Sequence, residues 1–393
     1  MESPLQRSSR VGRDGKPFTQ HFYLTRRLIN LYTPISMIDL RIPYRRIIRG
    51  SLFIACFFPT ILHAQFWHAL PPLAEDKSIY AGFSNDEKKI FFLSKDGSGV
   101  ANIWSMTIAD KYNRIIAGPN NPQVQVTKFT DRGPARMLHL LNLPEILYMR
   151  LTDNGKDYHI YRLKDDGSGQ PQDFTPGGDG ITSEMIGASY NGRFVYYTQN
   201  LVNRDKVDTY RYDAKQYVTD LVFPNDKDYR VLAWSRDHGK LLVEDPHAGD
   251  LMMFDIVSTE RTPLVKPANG RFVHALMDPT NHDLIVVEKD GDHNVERETG
   301  IGSSAWKDIG KGNITWVDYS PNGKYVVVNE GDKWSVKETA SGTELMLPAN
   351  ARPVAIAPQE TLLLYVIAQG DGTSKLFLYD IGKKASTELA TLK

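Results

Sequence analysis

Short apolar runs, each introduced by a turn, recur along most of the chain. In the clearest copies an aromatic residue and a serine stand before the turn, at residues 83–86, 234–239 and 319–323. The Gly, Asn and Asp residues of these turns adopt positive φ readily and connect neighbouring antiparallel strands. An alternating apolar run of strand length follows each turn. The pattern therefore predicts successive β-hairpins, and few stretches of the body carry helical periodicity.

The hairpins group into seven repeated units between residues 78 and 393. Weaker copies begin near residues 136, 184, 271 and 352 and fill the gaps between the three clear ones. The mean spacing of about 45 residues is typical of four-stranded propeller blades. We therefore predict an all-β fold, a seven-bladed β-propeller with four antiparallel strands in each blade. A β-sandwich pair is the alternative, and the regular spacing favours the propeller.

The last unit supplies its own four strands in this interpretation. They are expected at residues 352–357, 362–367, 375–380 and 386–391. The ring is then predicted to close without a strand from the N-terminal side.

The repeat resembles the WD-like repeat of TolB-like propellers, whose signature is an aromatic residue followed by Ser-Pro, then Asp or Asn, then Gly. Residues 319–323 match this signature best. The second and third units are also similar to the propeller of the prolyl oligopeptidase family. That similarity is carried by residues 157–162, 173–176, 203–205 and 208–211. The resemblance covers roughly residues 78–393 and implies a fold more than a function, because one fold hosts many functions.

The peptidase resemblance stops at the propeller. Enzymes of that family carry an α/β-hydrolase domain with a Gly-x-Ser-x-Gly nucleophile elbow. In this chain the seventh unit reaches Lys393, and no Gly-x-Ser-x-Gly occurs; residues 300–304 come nearest and have the wrong spacing. We therefore expect a propeller without the hydrolase domain, which favours a protein that is not an enzyme and leaves the question of activity open.

Charge divides the chain into two parts. Lys+Arg and Asp+Glu are equal at 47 each, but residues 1–64 hold ten basic and three acidic residues, and the remainder holds 37 and 44. Four arginines at residues 41–49 precede an apolar run at 51–62, and Ala64 follows it. This order is typical of a secretory signal peptide. We predict an N-terminal extension with a signal peptide cleaved after Ala64 (1–64), a linker (65–77) and the propeller (78–393).

Other interpretations of the leader stay open. It is unusually long, and a true start at Met37 is the alternative that would give a leader of ordinary length. Cys56 faintly resembles a lipoprotein cleavage site, Arg45-Arg46 resembles a twin-arginine signal, and an uncleaved anchor is a further alternative. No run of about 18 apolar residues predicts an ordinary membrane-spanning helix. We predict a periplasmic or secreted protein with no stable membrane span after cleavage.

Few residues point to metal or cofactor chemistry. The ten histidines form no His-Glu-x-x-His motif, and the single cysteine rules out a cysteine-ligated zinc site. Residues 226–228 and 290–292 resemble calcium loops but lack the terminal Glu, and Asp/Gly-rich turns explain them as well. The body is acidic, which argues against nucleic acid, since phosphate binding needs a basic face. We predict no metal, no cofactor and no nucleic-acid partner.

Alignment of the seven units brings charged residues to repeated places. Four residues before the aromatic position, four units carry an arginine: Arg136, Arg230, Arg271 and Arg352. One residue before it, where Gly and Ala prevail, the polar exceptions are His139, His274 and Asp318. The first strand of a blade lines the central channel, so these seven residues are predicted to form a ligand-binding channel mouth for a carboxylate or an anionic sugar. The alternative is structural, with each Arg paired to an acid of the neighbouring blade.

These observations predict an exported, non-catalytic propeller that binds a protein partner or an envelope component. The TolB-like resemblance implies work of this kind. One alternative is a lyase that acts on acidic oligosaccharides, which would need a metal held by histidines such as His139 and His274. Another is a detached propeller that gates a separate peptidase. We expect a monomer whose partner is a protein or an anionic ligand.

Overall fold

Seven antiparallel sheets follow one another along the chain. The computed structural model describes residues 80–393 apart from 142, 190, 265–269, 278–282, 291–292, 301–304 and 332. The predicted extension and signal peptide (1–64), the start at Met37 and the linker (65–77) lie outside the described residues. Within each sheet the strands are arranged in chain order, each hydrogen-bonded to the next. The seven sheets confirm the predicted all-β, seven-bladed propeller, and we number them blades 1 to 7.

The strands agree closely with the predicted units. Blades 1 and 2 comprise Ala81–Phe83, Lys89–Lys95, Ala101–Thr107 and Gln123–Gln125, then Arg136–His139, Glu145–Leu151, Tyr158–Lys164 and Gln172–Asp173. Blades 3 and 4 comprise Ser183–Ala188, Phe194–Gln199, Asp208–Asp213 and Val218–Phe223, then Arg230–Trp234, Lys240–Asp245, Asp250–Asp255 and Arg261–Pro263. Blade 5 comprises Gly270–Met277, Asp283–Asp290, His293–Gly300 and Lys307–Gly312. Blades 6 and 7 comprise Ile314–Tyr319, Tyr325–Glu330 and Lys333–Glu338, then Arg352–Ile356, Leu362–Ala368, Ser374–Asp380 and Ala385–Leu392.

Blade 6 differs from the others because its fourth strand is reduced to a single bridge. Lys337 pairs with Glu344, and the amide of Leu345 donates to the carbonyl of Val336 at 2.8 Å. The chain then turns away, since Leu347 donates to the carbonyl of Leu345 within the same segment. Pro348 follows and has no N–H with which to continue a ladder.

Both faces of each sheet are buried against neighbouring blades. The described residues contain seven apolar clusters, and each cluster joins two consecutive blades. Leu241 and Val243 of blade 4 face blade 3, whereas Leu242 between them faces blade 5. This alternation follows from the two-residue period of a strand. It explains why the central strands are continuous apolar runs and why the described residues, which form strands and no helix, build a large core.

The first strands lie at the axis of the ring. The first strand of blade 1 contacts the first strands of blades 2 and 7, and the same contact joins blades 4 and 5 and blades 5 and 6. Fourth strands are the exposed ones, as in Val218–Phe223, where four of six residues are exposed. The first strands therefore surround the channel, as the propeller resemblance implied.

The serine of the repeated motif stabilises the turn between the first and second strands. Ser84, Ser189, Ser235 and Ser320 each accept, through Oγ, the backbone N–H that opens the second strand, at 2.9–3.0 Å. In three of these turns the same Oγ also donates to Asp86, Asn191 or Asp237. The motif is therefore a local hydrogen-bonded turn, and its recurrence is a signature of fold.

A residue with positive φ in these turns reaches back to the preceding blade. Glu360 of blade 7 (φ 58°) accepts the Oγ–H of Ser320 and the N–H of Asn322 in blade 6. Glu87 of blade 1 (φ 56°) accepts the N–H of Gln359 and the hydroxyl of Thr361 in blade 7. The same type of contact therefore links neighbouring blades and closes the ring.

The meeting of blades 7 and 1, which we call the seam, joins parts of the chain that are far apart in sequence. Its core comprises Phe83, Ile90 and Phe92 of blade 1 with Leu364 and Leu378 of blade 7, among others. All four strands of blade 7 come from residues 352–392, as predicted, so non-covalent contacts hold the seam.

Candidate functional site

The four predicted arginines belong to equivalent positions on four blades. Arg136, Arg230 and Arg352 open their first strands, and Arg271 is the second residue of its strand. In each of the four blades, the residue that pairs with the arginine across the sheet occupies an equivalent position on the second strand. Equivalent residues of a closed ring lie at one end of its axis, so the four backbones share one face, which we call the arginine face. The opposite side, with the turns between first and second strands, is the turn face.

Arg136 forms a contact between blades. Its Nη1 lies 3.2 Å from Oε1 of Glu184 and donates to the carbonyl of Met185 at 3.1 Å, both in blade 3. Burial raises the pKa of Glu184, and the positive charge of Arg136 opposes that rise. This pairing is the structural role that the sequence left open as an alternative for each arginine.

Arg230 is placed differently. Its Nη2 lies 2.7 Å from Oε2 of Glu244, which is on the neighbouring strand of its own blade. The side chain remains 44% exposed. Arg230 therefore presents a guanidinium to solvent on the arginine face and does not join two blades through this ion pair.

Arg352 is buried and lies over an aromatic ring. Its guanidinium carbon is 5.7 Å from the centre of the Trp334 ring in blade 6, close enough for a cation–π interaction. Burial lowers the pKa of Arg352 to about 10. The side chain of Arg271 lies outside the described part of the chain, so the structure places three of the four predicted side chains, in three different environments.

His139 lies between blades 1 and 2. Its ring stacks on Phe91 of blade 1, with ring centres 4.7 Å apart, and its Nε2 is 3.3 Å from Oδ2 of Asp165. The residue is buried. It therefore packs in a blade interface, and the side chain of His274 lies outside the described residues.

Asp318 lies beside a small apolar cavity between blades 6 and 7. The cavity has a volume of about 30 Å³, and Trp316, Val327 and Leu363 are among its walls. One oxygen of Asp318 accepts the N–H of Tyr319 at 2.7 Å. Burial raises the pKa of Asp318 to about 7, because the apolar walls disfavour the carboxylate and one hydrogen bond offsets this only in part.

The arginine face also carries a loop that the sequence did not identify as a site. Residues 200–207 connect the second and third strands of blade 3, and this loop presents three exposed aliphatic side chains: Leu201, Val202 and Val207. Exposed fractions run from 41% to 74%. Their exposure depends on how the loop is folded, which no residue pattern in 200–207 reveals. We call residues 200–207 the blade 3 loop.

Hydrogen bonds fix the blade 3 loop in place. The side-chain amide of Asn200 donates to the carbonyls of Gly180 and Arg204, and its Oδ1 accepts the N–H of Thr182 at 2.7 Å. The amide of Lys206 donates to the carbonyl of Asn203. The loop is therefore held both internally and against the segment that leads into blade 3.

Asn225 connects the blade 3 loop to Arg230. Its Nδ2 donates to the carbonyls of Val207 and Tyr229, and its backbone N–H donates to Asp208 at 2.7 Å. Tyr229 immediately precedes Arg230. One amide side chain thus ties the backbone at the end of the blade 3 loop to the residue that precedes Arg230.

Substitution of the arginines separates structural from exposed positions. We expect Arg136→Ala to lower the free energy of unfolding by about 1–2 kcal/mol, because the partly buried Glu184 and the carbonyl of Met185 in the next blade lose their donor. Arg230→Ala is expected to lower it by a smaller amount, about 0.5–1 kcal/mol, because Glu244 also loses a partner but the pair lies within one blade and Arg230 itself is 44% exposed. Urea unfolding of the two variants measures the difference, and equal losses would contradict the distinction.

The described part of the chain contains no group of three or more His, Cys, Asp or Glu residues placed to hold a metal ion. None of the described residues belongs to a helix with the length and hydropathy needed to cross a bilayer.

Comparison with known proteins finds similar structures only. No family model matches the chain, and no curated protein matches its sequence. An oligogalacturonate lyase in complex with manganese aligns with a TM-score of 0.56 at 11% identity, over 76% of this chain and 87% of the lyase. A puromycin-hydrolyzing peptidase from Mycobacterium tuberculosis aligns with a TM-score of 0.56 at 9% identity, over 79% of this chain and 52% of the peptidase. TolB from Acinetobacter baumannii aligns with a TM-score of 0.45 at 12% identity, over 76% of this chain and 80% of TolB.

At these identities the likeness concerns the fold. The lyase and the peptidase support the TolB-like propeller fold that the repeat predicted. This chain spans about half the length of the peptidase. The function has to be argued from the residues of this chain.

Proposed function

We propose that this chain is a non-catalytic propeller that binds a partner protein through the arginine face of blades 3 and 4. The observation that carries the proposal is the blade 3 loop, which presents Leu201, Val202 and Val207 to solvent. Asn225 donates to the backbone carbonyls of Val207 and of Tyr229, the residue before Arg230. The docking surface of the proposal comprises the blade 3 loop and Arg230.

A fixed loop with exposed aliphatic residues favours association. Covering apolar surface stabilises a complex by about 25 cal/mol per Å² removed from water. The entropy cost of ordering a loop is avoided when the loop is already held, as Asn200 and Asn225 hold this one. Arg230 adds a donor for a carboxylate or a carbonyl of the partner, since a guanidinium carries five N–H groups. An exposed apolar group with a polar rim is typical of protein interaction sites.

The proposal retains only part of the predicted anion-binding channel mouth. Arg136 is engaged with Glu184, and Arg352 is buried over Trp334. Arg230 is more exposed than Arg136 and Arg352. The role of Arg271 and His274 stays a prediction.

Export remains part of the proposal. Its support is the basic flank, the apolar run at 51–62 and Ala64, which are typical of a secretory signal. N-terminal sequencing of protein purified from the envelope or the culture medium is expected to begin at Gln65. A chain that keeps its first residue in the cytoplasmic fraction would count against export and leave the docking surface unaffected.

The two alternatives gain little from the geometry. The lyase alternative relied on His139 as a metal ligand, and this ring stacks on Phe91 with its Nε2 directed at Asp165. The likeness to a manganese-containing lyase is a likeness of fold. No contact among the described residues specifically supports the alternative in which the propeller gates a separate peptidase.

The docking surface is tested by the double substitution Leu201→Ser with Val202→Ser. We expect at least tenfold weaker binding of a partner captured from envelope extract, because central apolar contacts dominate such interfaces. The melting temperature is expected to stay unchanged, since both side chains are exposed. Immobilised wild type and variant are compared by quantitative mass spectrometry of the retained proteins.

Val257→Ser is the matched control, because Val257 is 89% exposed and belongs to a turn on the opposite face. It is expected to retain the partner at the wild-type level. If the same proteins are retained by all three chains, the blade 3 loop is not the docking surface.

A further inference from the structure

A cleft of about 440 Å³ opens on the turn face at the seam between blades 7 and 1. Blade 1 contributes Asp86, Glu87 and Arg114 to its walls, and blade 7 contributes Asp380 and Lys383. The volume is within the range of ligand sites in proteins, about 300–1,000 Å³. The cleft lies on the side opposite to the proposed docking surface, so it is an independent feature.

The two cations stand on opposite walls and keep donors to spare. Nε and Nη2 of Arg114 are directed at Asp110, at 2.7 and 2.6 Å. Nζ of Lys383 donates to Asp380 at 2.8 Å, which uses one of its three N–H groups. Both side chains are largely exposed, 74% for Arg114 and 70% for Lys383. A carboxylate that enters the cleft therefore meets a cation on each wall.

Asp86 and Asp380 supply negative charge to the cleft at neutral pH. Ser84 and the N–H of Lys88 donate to Asp86, and these bonds outweigh burial and hold the pKa of Asp86 below its usual value. Bonds from Lys383 likewise hold the pKa of Asp380 low against the effect of burial. The carboxylate oxygens of these residues have the capacity to accept further hydrogen bonds. An ammonium group supplies three N–H donors.

We propose that this cleft binds a zwitterionic ligand, a short peptide whose carboxylate lies between Arg114 and Lys383 and whose ammonium group lies at Asp86. Both charges of the ligand then meet opposite charges of the chain. Uncharged side chains, the amides of Asn113 and Gln359, complete the lining with groups that bond to peptide backbone. An anion without an ammonium group is disfavoured, because Asp86, Glu87 and Asp380 would repel it.

Binding at this place has a consequence for the fold. The cleft walls belong to two blades whose described residues are joined by non-covalent contacts, among them the bonds from Gln359 and Thr361 to Glu87. A ligand that contacts both walls adds a bridge across the seam. It therefore stabilises the closed ring, and its binding is visible as a rise in melting temperature.

The test uses trialanine and a capped form, N-acetyl-trialanine amide, which has no charged termini. Calorimetric titration and thermal unfolding of the full chain are expected to show millimolar or tighter binding of trialanine and at least tenfold weaker binding of the capped peptide. Arg114→Gln with Lys383→Gln is expected to weaken trialanine binding at least tenfold. Both residues are exposed, so this variant is expected to fold and to melt at the wild-type temperature without peptide.

Lys333→Gln is the control, because Lys333 is similarly exposed at 63% and pairs with Glu344 in blade 6, away from the cleft. It is expected to bind trialanine as the wild type does. The proposal is overturned if trialanine neither binds nor shifts the melting temperature at millimolar concentrations. It is also overturned if the capped peptide or the double variant binds with wild-type affinity.

Discussion

The Asp318→Asn variant is expected to be more stable than the wild type at pH 8 and to have nearly the same stability at pH 4. Burial between blades 6 and 7 raises the pKa of Asp318 to about 7, whereas an unfolded chain titrates near 3.8. At a pH between these values the folded protein holds a proton that the unfolded chain has released. This proton binding favours folding at low pH, so the contribution is fully present below about pH 4 and is lost as the pH rises to 7. An asparagine has no proton to lose and removes the effect.

The size of the effect follows from the difference between the two pKa values. One pKa unit corresponds to 1.36 kcal/mol, so a rise of about three units corresponds to about 4 kcal/mol of stability lost between pH 4 and pH 8. The free energy of unfolding is measured by urea titration at several pH values for both chains. The difference between variant and wild type is expected to grow through this window and to be constant above it.

Asp371→Asn is a control of opposite sign. Bonds from Thr373 hold the pKa of Asp371 low, so its contribution to stability is present at neutral pH and is lost as the pH falls. A difference between Asp318→Asn and wild type that does not depend on pH would show that the carboxyl of Asp318 is already ionised in the folded protein.

The Phe92→Ala variant is expected to lose about 3–5 kcal/mol of stability and to open the ring at the seam. Phe92 is fully buried in the cluster that joins blades 7 and 1, and removal of a large buried ring leaves a cavity. The described residues of blades 1 and 7 meet at this interface through non-covalent contacts. Amide hydrogen exchange at Gln359 and Lys95, whose N–H groups donate across the seam, is therefore expected to accelerate before the rest of the core.

Phe91→Ala provides the matched comparison. Phe91 is the preceding residue of the same strand, equally buried, and faces blade 2. The substitution is expected to lower the free energy of unfolding by a similar amount. The amides at the seam are expected to exchange only when the whole protein unfolds. Equal acceleration of the seam amides in both variants would show that the seam has no independent opening.

The sequence allowed the fold to be predicted because its signal is local and repeated. Ser84, Ser235 and Ser320 each accept a hydrogen bond within five residues, so the turn motif is visible in a single chain. Continuous apolar runs identified strands that are covered on both faces. The reduced fourth strand of blade 6 escaped prediction, since residues 343–347 have the length of a strand and their departure from the sheet depends on the turn at Leu347.

The candidate site was less predictable, because its chemistry depends on contacts between blades. Aligning the units placed Arg136 and Arg230 at equivalent positions, and the structure agrees. Which acid each one meets was not visible, since Glu184 is on the next blade and Glu244 is on the next strand. For His139 the deciding neighbour is Phe91, 48 positions earlier in the sequence and on a different blade.

The seam is also the place where the two ends of the described chain come close together. The carbonyl of Tyr80 accepts the N–H of Leu93 at 2.9 Å, and that of Lys393 accepts the N–H of Lys95 at 3.3 Å, so the first and last described residues bond to positions two residues apart on the second strand of blade 1. A short linker between them would convert the seam into an ordinary connection. A new opening between any other two blades would then be held by the same kind of core. The architecture of the ring does not require the chain termini to lie between blades 7 and 1, so it is compatible with circular permutation.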